Sequence, residues 1–391
     1  MSKKETLNIL MISPYFIQQG AGEKYAYEIA KRLVERGHNV TVLCSHRQKK
    51  DEEEIIDGIR VIRLKPDFIL SSTPVRLDLF FKLLNLMKRD NFDLVSINFH
   101  LPYYADLAAM ASKICKLPSI LTYHNDLGKR EPLLHFIISV YNHSVNRLTL
   151  SLTDKIITPS PYCYRESKLL KRFKDKVVWI PPGVDTQKYN IGNSFRIHDT
   201  YNLPHSSKIV LFVGEMSKAH THKGVDYLLK SFKTVVDNVA DAFLVLVGRG
   251  DKIPEYKDLC QQYGISSSVI FTGFIDEEEL IEYYQSCNLV VLPSVTTQEG
   301  FGRTLLEGNA CGKPVIGTEI GGIKHVIKHG ENGLLVPPRD SVALANAIIY
   351  LLQNEEVSNK ICINARKWVE DYSWGKIVAR IETTCEEVTK R

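Results

Sequence analysis

The sequence predicts an α/β protein built from two doubly wound, Rossmann-like domains. Its 391 residues suffice for two domains at roughly 150 residues or somewhat more each. Short runs rich in β-branched residues alternate with longer stretches of helical period, which is typical of parallel sheets covered by helices. A stretch rich in Pro, Gly, Asn and Ser, residues 180–207, separates these runs into two sets. Each set therefore predicts an open sheet of its own.

The predicted strands are short apolar runs that follow one another along the chain. In the first half they read LNILMIS, NVTVLC, FDLVSIN, SILTYH and KIITPS, and in the second half KIVLFVG, FLVLVG, SVIFTG, NLVVLPS and PVIGTE. Residues 23–35 are typical of the stretches between them, because Tyr25, Ile29 and Leu33 share one face of a helix. Such helices complete βαβ units, and open sheets of this kind bind ligands outside the carboxyl ends of their strands.

The linker sets the predicted domain boundary. We assign residues 1–185 to the first domain and residues 186–371 to the second. The last helix, residues 372–391, follows a helix that ends near Asp371 and is expected to pack back on the first domain. Two such domains facing each other would form a cleft.

Composition argues against several other classes of protein. Hydrophobic residues make up 44% of the chain and charged residues 24%, so a disordered or fibrous protein is not expected. The eight cysteines are scattered without a C-x-x-C, which argues against a zinc ribbon or a redox pair and fits a reducing cytosol. The longest apolar stretch, Leu133 to Val140, is less than half of the roughly 20 residues that cross a bilayer. The first residues predict a strand rather than a signal peptide.

Charge is distributed unevenly along the chain. Residues 1–188 carry 29 Lys and Arg against 20 Asp and Glu, whereas the remainder carries 21 against 25. Two segments of the first half, residues 129–147 and 168–176, combine basic with apolar residues. They fit either an anionic lipid surface or an ordinary solvated helix face. Nucleic acid is not an expected partner, because no recognisable binding module accompanies the charge.

A Gly-containing loop after the strand NLVVLPS carries two glutamates eight positions apart, Glu299 and Glu307. If a helix begins near Gly302, Glu299 stays in the loop beside the helix N-terminus and Glu307 lies about 7 Å further along the axis. One glutamate can then reach a sugar and the other a ribose. The unpaired N–H groups and the positive dipole end of the helix suit a diphosphate between them. Phe301, with Gly300 and Gly302 on either side, lets the backbone approach the ligand.

This loop and several other motifs resemble the family 4, or group 1, retaining glycosyltransferases of the GT-B fold. The resemblance covers nearly the whole chain, and the order and spacing of the motifs carry it rather than any single one. The matching motifs are GAGEKYAYEIAKRLVERGHNVTVL, IPPGVD, FVGEMSKAHTHKGVDYLL, LVGRGD, FTGFIDEEEL, the E-x7-E loop, KPVIGTEIGGIKHVIKHGENGLLVPPRD and DYSWGKI.

The resemblance implies a role for each matching residue. The second domain would bind the donor, with Glu307 on the nucleotide ribose, Glu299 on the transferred sugar and Lys223 on the diphosphate. His124, at the end of the strand SILTYH, would touch the transferred sugar from the acceptor-side first domain. Catalytic roles thus fall to His124, Glu299 and Lys223. Further donor-binding residues would be Gly300, Phe301, Gly302, Arg303, Gly248 and Gly273, the last two with plain turn glycines as an equally good interpretation.

Two positions depart from the family pattern. Glu215 stands where many relatives carry an arginine, so Lys223 and Arg303 must suffice for the diphosphate unless Lys218 substitutes. Ala21 replaces the second glycine of the loop Gln19–Glu23 that precedes the first helix. The close approach of that loop to the ligand is therefore expected at Gly20 and Gly22.

Neither a metal nor a cofactor is expected. His220 and His222 form an H-x-H without a third ligand at readable spacing, and the chain contains no D-x-D. Lys223, Arg303 and the helix dipole would then balance the leaving diphosphate.

The implied function is transfer of a hexose (EC 2.4) from a nucleotide diphosphate-sugar to an acceptor hydroxyl with retention of configuration. Glycolipid or cell-surface polysaccharide synthesis is the expected context, by a cytoplasmic enzyme or one peripheral to the inner membrane face, with a lipid-linked acceptor as an open alternative. Rival hypotheses are a non-catalytic nucleotide-sugar-binding protein and another GT-B enzyme, such as a nucleotide-sugar epimerase. A nicotinamide-dependent oxidoreductase is disfavoured, because the first βα turn, GAGEKY, lacks the third glycine of G-x-G-x-x-G.

Overall fold

A computed structural model describes residues 6–16, 21–45, 50–70, 73–98, 102–124, 132–167 and 169–390. The chain divides into two compact units, Met1–Pro182 with Trp374–Arg391, and Gly183–Ser373. The division falls slightly before the predicted boundary at residue 185. The reason is a hydrogen bond from the Val184 backbone N–H to the Tyr372 carbonyl (2.9 Å), which ties the segment after Pro182 to the second unit.

The first unit contains an eight-stranded sheet with the strand order β10-β9-β8-β7-β1-β2-β4-β3, and a separate hairpin of β5 and β6. All neighbours in the large sheet are parallel except β3 and β4. Its elements are β1 (Asn8–Ile12), α1 (Ala21–Glu35), β2 (Asn39–Ser45), β3 (Glu52–Ile56), β4 (Ile59–Leu64), β5 (Phe68–Leu70), β6 (Thr73–Val75), α2 (Leu79–Arg89), β7 (Leu94–Ile97), α3 (Tyr104–Ile114), β8 (Ser119–Thr122), α4 (Pro132–His143), α5 (Val145–Leu152), β9 (Lys155–Thr158), α6 (Pro161–Glu166) and β10 (Val177–Trp179).

Successive residues of β1 face opposite sides of the sheet. Ile9 and Met11 are buried with side chains of α1, whereas Leu10 and Ile12 are buried with side chains of α2 and α3. Because helices cover both faces, the strand has no exposed side and forms a continuous apolar run. This explains why the central strands could be recognised in the sequence.

The hairpin of β3 and β4 is absent from the strands predicted above. Asp57 and Gly58 form its turn with positive φ angles of 48° and 76°. The Asp-Gly pair is a hairpin signal that the sequence does contain. The preceding Glu52–Ile56 is largely exposed and begins with three glutamates, so it lacks the apolar pattern of a buried strand and protects the sheet edge instead.

The second unit contains a six-stranded parallel sheet with the order β13-β12-β11-β14-β15-β16. From β11 the chain adds β12 and β13 on one side and then returns to add β14, β15 and β16 on the other. The topological switch point therefore lies between β11 and β14. The elements are α7 (Arg196–Tyr201), β11 (Lys208–Val213), α8 (Val225–Asn238), β12 (Ala242–Val247), α9 (Ile253–Tyr263), β13 (Val269–Gly273), α10 (Glu277–Ser286), β14 (Leu289–Leu292), α11 (Arg303–Ala310), β15 (Val315–Thr318), α12 (Ile323–Val326), β16 (Gly333–Val336), α13 (Ser341–Gln353) and α14 (Glu355–Val369).

The final helix, α15 (Trp374–Thr389), belongs to the first unit and packs against α1. Its Glu382, only 4% exposed, accepts hydrogen bonds from the Arg36 guanidinium (2.6 Å) and from His38 Nε2 (2.7 Å). His38 Nδ1 accepts from the Leu7 backbone N–H (3.1 Å), so its proton resides on Nε2. Glu382 thus joins the chain terminus to the start of the first sheet.

No helix within the described ranges combines the length and apolar character needed to span a bilayer.

Replacing Glu382 by Ala is expected to destabilise the first unit by about 3 kcal/mol, because it removes one partner of a buried polar cluster. The exposed Glu387 on the same helix provides the control variant Glu387→Ala. Urea unfolding followed by tryptophan fluorescence measures both, since Trp179 and Trp374 lie in this unit. Equal midpoints for the two variants would contradict the proposed role of Glu382.

Candidate active site

The loops after β11 and β14 meet at the switch point of the second sheet. The Val295 backbone N–H donates to the carbonyl of His222 (2.7 Å), which joins the two loops. Gly224 has a positive φ of 70°, and a Cβ there would lie 2.1 Å from the Pro293 carbonyl oxygen. Only glycine permits this approach, so the start of α8 lies directly against the end of β14.

Lys223 and Glu299 form an ion pair at this junction. Their Nζ and Oε2 atoms lie 3.1 Å apart, and the side chains are only 17% and 12% exposed. Ser294 Oγ donates to the same carboxylate oxygen (3.3 Å). The stem of Lys223 runs over Gly214, where a Cβ would come within 3.0 Å of Cδ. The fold thus brings together two residues 76 positions apart that the sequence had assigned separately to sugar and diphosphate.

Glu299 is ionised in this setting. Burial by itself raises the pKa of a carboxyl group. The effect of burial is outweighed by three neighbours that lower the pKa of Glu299: the Lys223 ammonium, His222 and the hydroxyl of Ser294. The pKa of Glu299 therefore lies below its ordinary value. The carboxylate is therefore available as a hydrogen-bond acceptor for sugar hydroxyls.

Two glycines that were not among the predicted site residues hold the loop of Glu299. Gly321 has a positive φ of 50°, and a Cβ on it would lie 2.4 Å from the Glu299 carbonyl oxygen. At Gly322 a Cβ would lie 2.1 Å from the Gly300 carbonyl oxygen. The signal in the sequence is the Gly-Gly pair that follows the strand PVIGTE. Its partner loop could not be identified without the fold.

Glu307 lies on α11 and is positioned by a buried tyrosine. Tyr284 Oη donates to Glu307 Oε2 (2.9 Å), and Arg303 Nη2 lies 3.7 Å from Oε1. Burial raises the pKa of Tyr284 well above its ordinary value, and the negative charge of Glu307 adds to the effect, so the phenol remains a donor. The other carboxylate oxygen of Glu307, Oε1, faces the Arg303 guanidinium. Tyr284 was not predicted as a site residue, because it lies on α10 whereas Glu307 lies on α11.

The helix α11 begins after Gly302, whose positive φ of 87° turns the chain into the helix. Phe301 is 4% exposed and its ring packs against Tyr372, with ring centroids 6.1 Å apart. The Phe301 side chain thus belongs to the core. What the segment Gly300–Gly302 offers a ligand is its backbone.

Gly248 and Gly273 have different surroundings, although the sequence assigned both to the donor. The Gly248 backbone N–H donates to the Gly273 carbonyl (2.8 Å). Gly248 has a φ of 142°, and a Cβ there would lie 2.0 Å from the Gly214 carbonyl oxygen, whereas Gly273 faces open space. Gly248 therefore lets the loop after β12 pack against the loop after β11.

Glu215 is engaged within its own loop. Its Oε1 atom accepts from Ser217 Oγ (2.8 Å) and lies 3.2 Å from His220 Nδ1. The backbone N–H of Lys218 donates to Asp251 (2.8 Å). Glu215 thus makes its contacts within the segment Glu215–His220.

Each half of the chain matches a known family. Residues 193–368 match the family described as glycosyl transferases group 1, and residues 22–188 match glycosyltransferase family 4. O-antigen chain mannosyltransferase C of Escherichia coli is 31% identical over 359 residues, which cover 90% of each protein. The chain belongs to the group 1 glycosyltransferases of family 4.

Solved structures confirm the GT-B fold of this glycosyltransferase. A glycosyltransferase from Rickettsia africae superimposes with a TM-score of 0.78 at 22% identity and covers 99% of both chains. Anabaena HepE in complex with UDP and glucose superimposes with a TM-score of 0.76 at 21% identity, covering 97% of this chain and 99% of that one. These structures confirm the predicted fold, whereas the family models and the Escherichia coli relative confirm the predicted family and enzyme class.

In the first unit of the glycosyltransferase, His124 follows β8 at its carboxyl end. Its ring meets the ring of Tyr25 edge-on, with centroids 5.2 Å apart, and Tyr25 in turn lies 5.9 Å from Trp374 of α15. Tyr25 of α1 thus packs against the ring of the predicted catalytic histidine, and Trp374 of the final helix packs against Tyr25. The prediction that His124 acts on the sugar rests on the family resemblance.

The loop before α1 requires a correction. The helix begins at Ala21, so Gly22 lies in its first turn instead of in a preceding loop.

Gly20 lies outside the described residues, as do Lys129 and Lys168 of the two basic segments. Among the described residues, no group of three His, Cys, Asp or Glu is arranged to hold a metal ion.

Gly248→Ala is expected to destabilise the second unit far more than Gly273→Ala. Both substitutions strain a positive φ, at about 1–2 kcal/mol, but only the first drives a methyl group into the Gly214 backbone. We expect a loss above about 3 kcal/mol for Gly248→Ala in thermal unfolding. Similar losses for the two variants would contradict the close packing of these loops.

Proposed function

We propose that this glycosyltransferase transfers a hexose from a nucleotide diphosphate-sugar to an acceptor hydroxyl with retention of anomeric configuration. The observation that carries the proposal is the Lys223–Glu299 ion pair at the switch point, next to the start of α11, where Glu307 follows. Relatives support it, since the similar Escherichia coli protein is a mannosyltransferase and the similar Anabaena structure holds UDP and glucose. As the relatives are enzymes, a non-catalytic binding protein is not favoured.

The donor diphosphate is proposed to lie against the backbone of Gly300–Gly302. The N-terminus of a helix presents backbone N–H groups to such an anion, and the helix dipole adds to the attraction. Lys223 and Arg303 supply two cations at the same place. We propose a metal-independent reaction, because Lys223, Arg303 and the N-terminus of α11 can contact the diphosphate and the sequence has no D-x-D.

The two glutamates are proposed to bind the ends of the donor. Glu307, with one oxygen held by Tyr284, would accept hydrogen bonds from the ribose, and Glu299 would accept them from the transferred sugar. Hydrogen bonds to a charged group discriminate strongly against ligands that lack the partner hydroxyl. Gly248 and Gly273 are proposed to shape the loops beside the donor.

The chemical step requires stabilisation of the leaving diphosphate. Lys223 and the amides of Gly300–Gly302 would stabilise the charge that develops on it. His124 is proposed to contact the transferred sugar. The acceptor is proposed to attack from the face that the diphosphate leaves, and the leaving phosphate takes the acceptor proton, which retains the configuration.

Glu307→Ala is expected to raise the donor dissociation constant about 10- to 100-fold, because it removes charge-assisted hydrogen bonds to the ribose. A thermal-shift panel of UDP, GDP, ADP and their sugars identifies the donor, since a ligand of the folded state raises Tm. His124→Ala serves as the contrasting variant, with donor binding retained and transfer lost. Undiminished donor binding in Glu307→Ala would overturn the ribose assignment.

An anionic membrane surface is proposed as the place where the acceptor is found. Helices α4 and α5 pack against each other and expose apolar side chains, with Phe136 66%, Val140 51% and Leu148 49% exposed. Arg147 is exposed beside them, so the surface combines apolar groups with positive charge. Phe136, Val140 and Arg147 belong to residues 129–147, one of the two basic and apolar segments of the first half, and Leu148 directly follows it.

Sedimentation with vesicles of phosphatidylcholine and phosphatidylglycerol tests this part of the proposal. We expect binding at low salt that weakens several-fold in the double variant Phe136→Ser and Val140→Ser, since burial of apolar area is lost. Ile363→Ser, 59% exposed on α14, is the matched control. Absence of the wild-type protein from the vesicle pellet would refute a membrane-bound acceptor site on this surface.

A further inference from the structure

His222 is a titratable residue beside Glu299 to which the proposed function gives no role. It directly precedes Lys223, and its carbonyl accepts from Val295 (2.7 Å), so its backbone is joined to the loop that carries Glu299. Its side chain is partly buried, and Nδ1 is buried without a hydrogen-bond partner among the described residues. Glu299 raises the pKa of the His222 imidazole, and His222 lowers the pKa of the Glu299 carboxyl group.

The cluster is electrically balanced in the structure. Lys223 carries the positive charge and Glu299 the negative one, at 3.1 Å. Burial lowers the pKa of His222, and Lys223 and His220 act in the same direction. Glu299 and a hydrogen bond with the Ala219 backbone oppose this but do not outweigh it. His222 is therefore neutral near pH 7. His220 lies beside its own carboxylate, Glu215, at 3.2 Å.

Binding of a diphosphate disturbs this balance. The proposed donor site uses the Lys223 ammonium for the phosphates, yet the same ammonium is the cation of Glu299. Glu299 is only 12% exposed, and a buried carboxylate that loses its cation is strongly destabilised. The phosphates also bring new negative charge, which favours a proton on a neighbouring imidazole. Of the groups that act on the pKa of Glu299, namely Lys223, His222 and Ser294, His222 is the one that can gain a positive charge.

We propose that donor binding is coupled to the uptake of one proton by His222, whose imidazolium replaces Lys223 as the partner of Glu299 when Lys223 turns to the diphosphate. This inference rests on the proposed function. The proton comes from solvent and converts neutral imidazole to imidazolium, and no bond of the donor changes in this step. His222 is then a positioning residue, because it holds Glu299 in its ionised state against the sugar.

The coupling predicts the pH dependence of donor affinity. The pKa of His222 is low in the free protein and higher when the donor is bound, so between these two values binding takes up a proton. Donor affinity therefore falls as the pH rises through this window, by up to about tenfold per pH unit. Below the lower pKa His222 is charged in both states, and above the higher one it is neutral in both, so the coupling disappears at either end.

Calorimetry in buffers of different ionisation enthalpy measures the protons taken up at about pH 7. UDP-glucose and GDP-mannose are the probes, because both phosphates of a nucleotide sugar are esterified and do not titrate near neutral pH. We expect wild-type uptake between zero and one proton per donor bound, and none in His222→Gln. His205→Gln is the matched control, since His205 is an exposed histidine of the same unit paired with Asp199 at 2.9 Å, and its proton uptake should equal that of the wild type.

The outcomes separate this inference from the function on which it rests. Donor binding without proton uptake, or with equal uptake in wild type and His222→Gln, overturns the inference and leaves the donor site standing. Absence of binding by any nucleotide sugar contradicts the donor site and the inference with it. NMR of labelled histidines in the wild-type protein gives a second readout, in which one imidazole must show a raised pKa when the nucleotide sugar is added. If every histidine pKa is unchanged by bound donor, the inference is wrong.

Discussion

The order of strands in the second sheet is the constraint on which the site depends. Because the chain builds outward from β11 in one direction and then from β14 in the other, these two strands are neighbours, and the loops that follow them meet at the carboxyl edge of the sheet. Lys223 comes from one loop and Glu299 from the other. Neither residue would have a partner without this reversal, and the glycines at 224, 248 and 321 permit the backbone contacts that bring the loops together.

The largely buried Glu299 carboxylate depends on the Lys223 ammonium, a cation that the proposed reaction also requires. Glu299 is held ionised by Lys223, yet the proposed reaction needs Lys223 for the departing diphosphate. The ion pair therefore positions Glu299, and Glu299 competes with the diphosphate for Lys223. The proposed uptake of a proton by His222 on donor binding would resolve this competition, because an imidazolium restores the positive charge that Glu299 loses.

Function and stability use different parts of the fold. Glu382 joins the final helix to the first sheet through Arg36 and His38, and this polar cluster lies in the first unit, whereas the Lys223–Glu299 pair lies in the second. Burial in such clusters contributes to stability only while every partner is present. In the second unit, Tyr284 serves a comparable purpose for Glu307, although there the restrained carboxylate is one that is proposed to bind a ligand.

The sequence by itself determined the fold class, the central strands of both sheets and the two glutamates of the E-x7-E loop, because these depend on periodicity and on residues close together in the chain. It also contained the Asp57-Gly58 turn, whose signal was outweighed by the glutamates of an exposed edge strand. Only the tertiary structure decided that Lys223 pairs with Glu299, that Tyr284 holds Glu307 and that Gly322 supports Gly300. Those contacts join segments distant in sequence, and their distances are set by packing of strands and helices that no local pattern encodes.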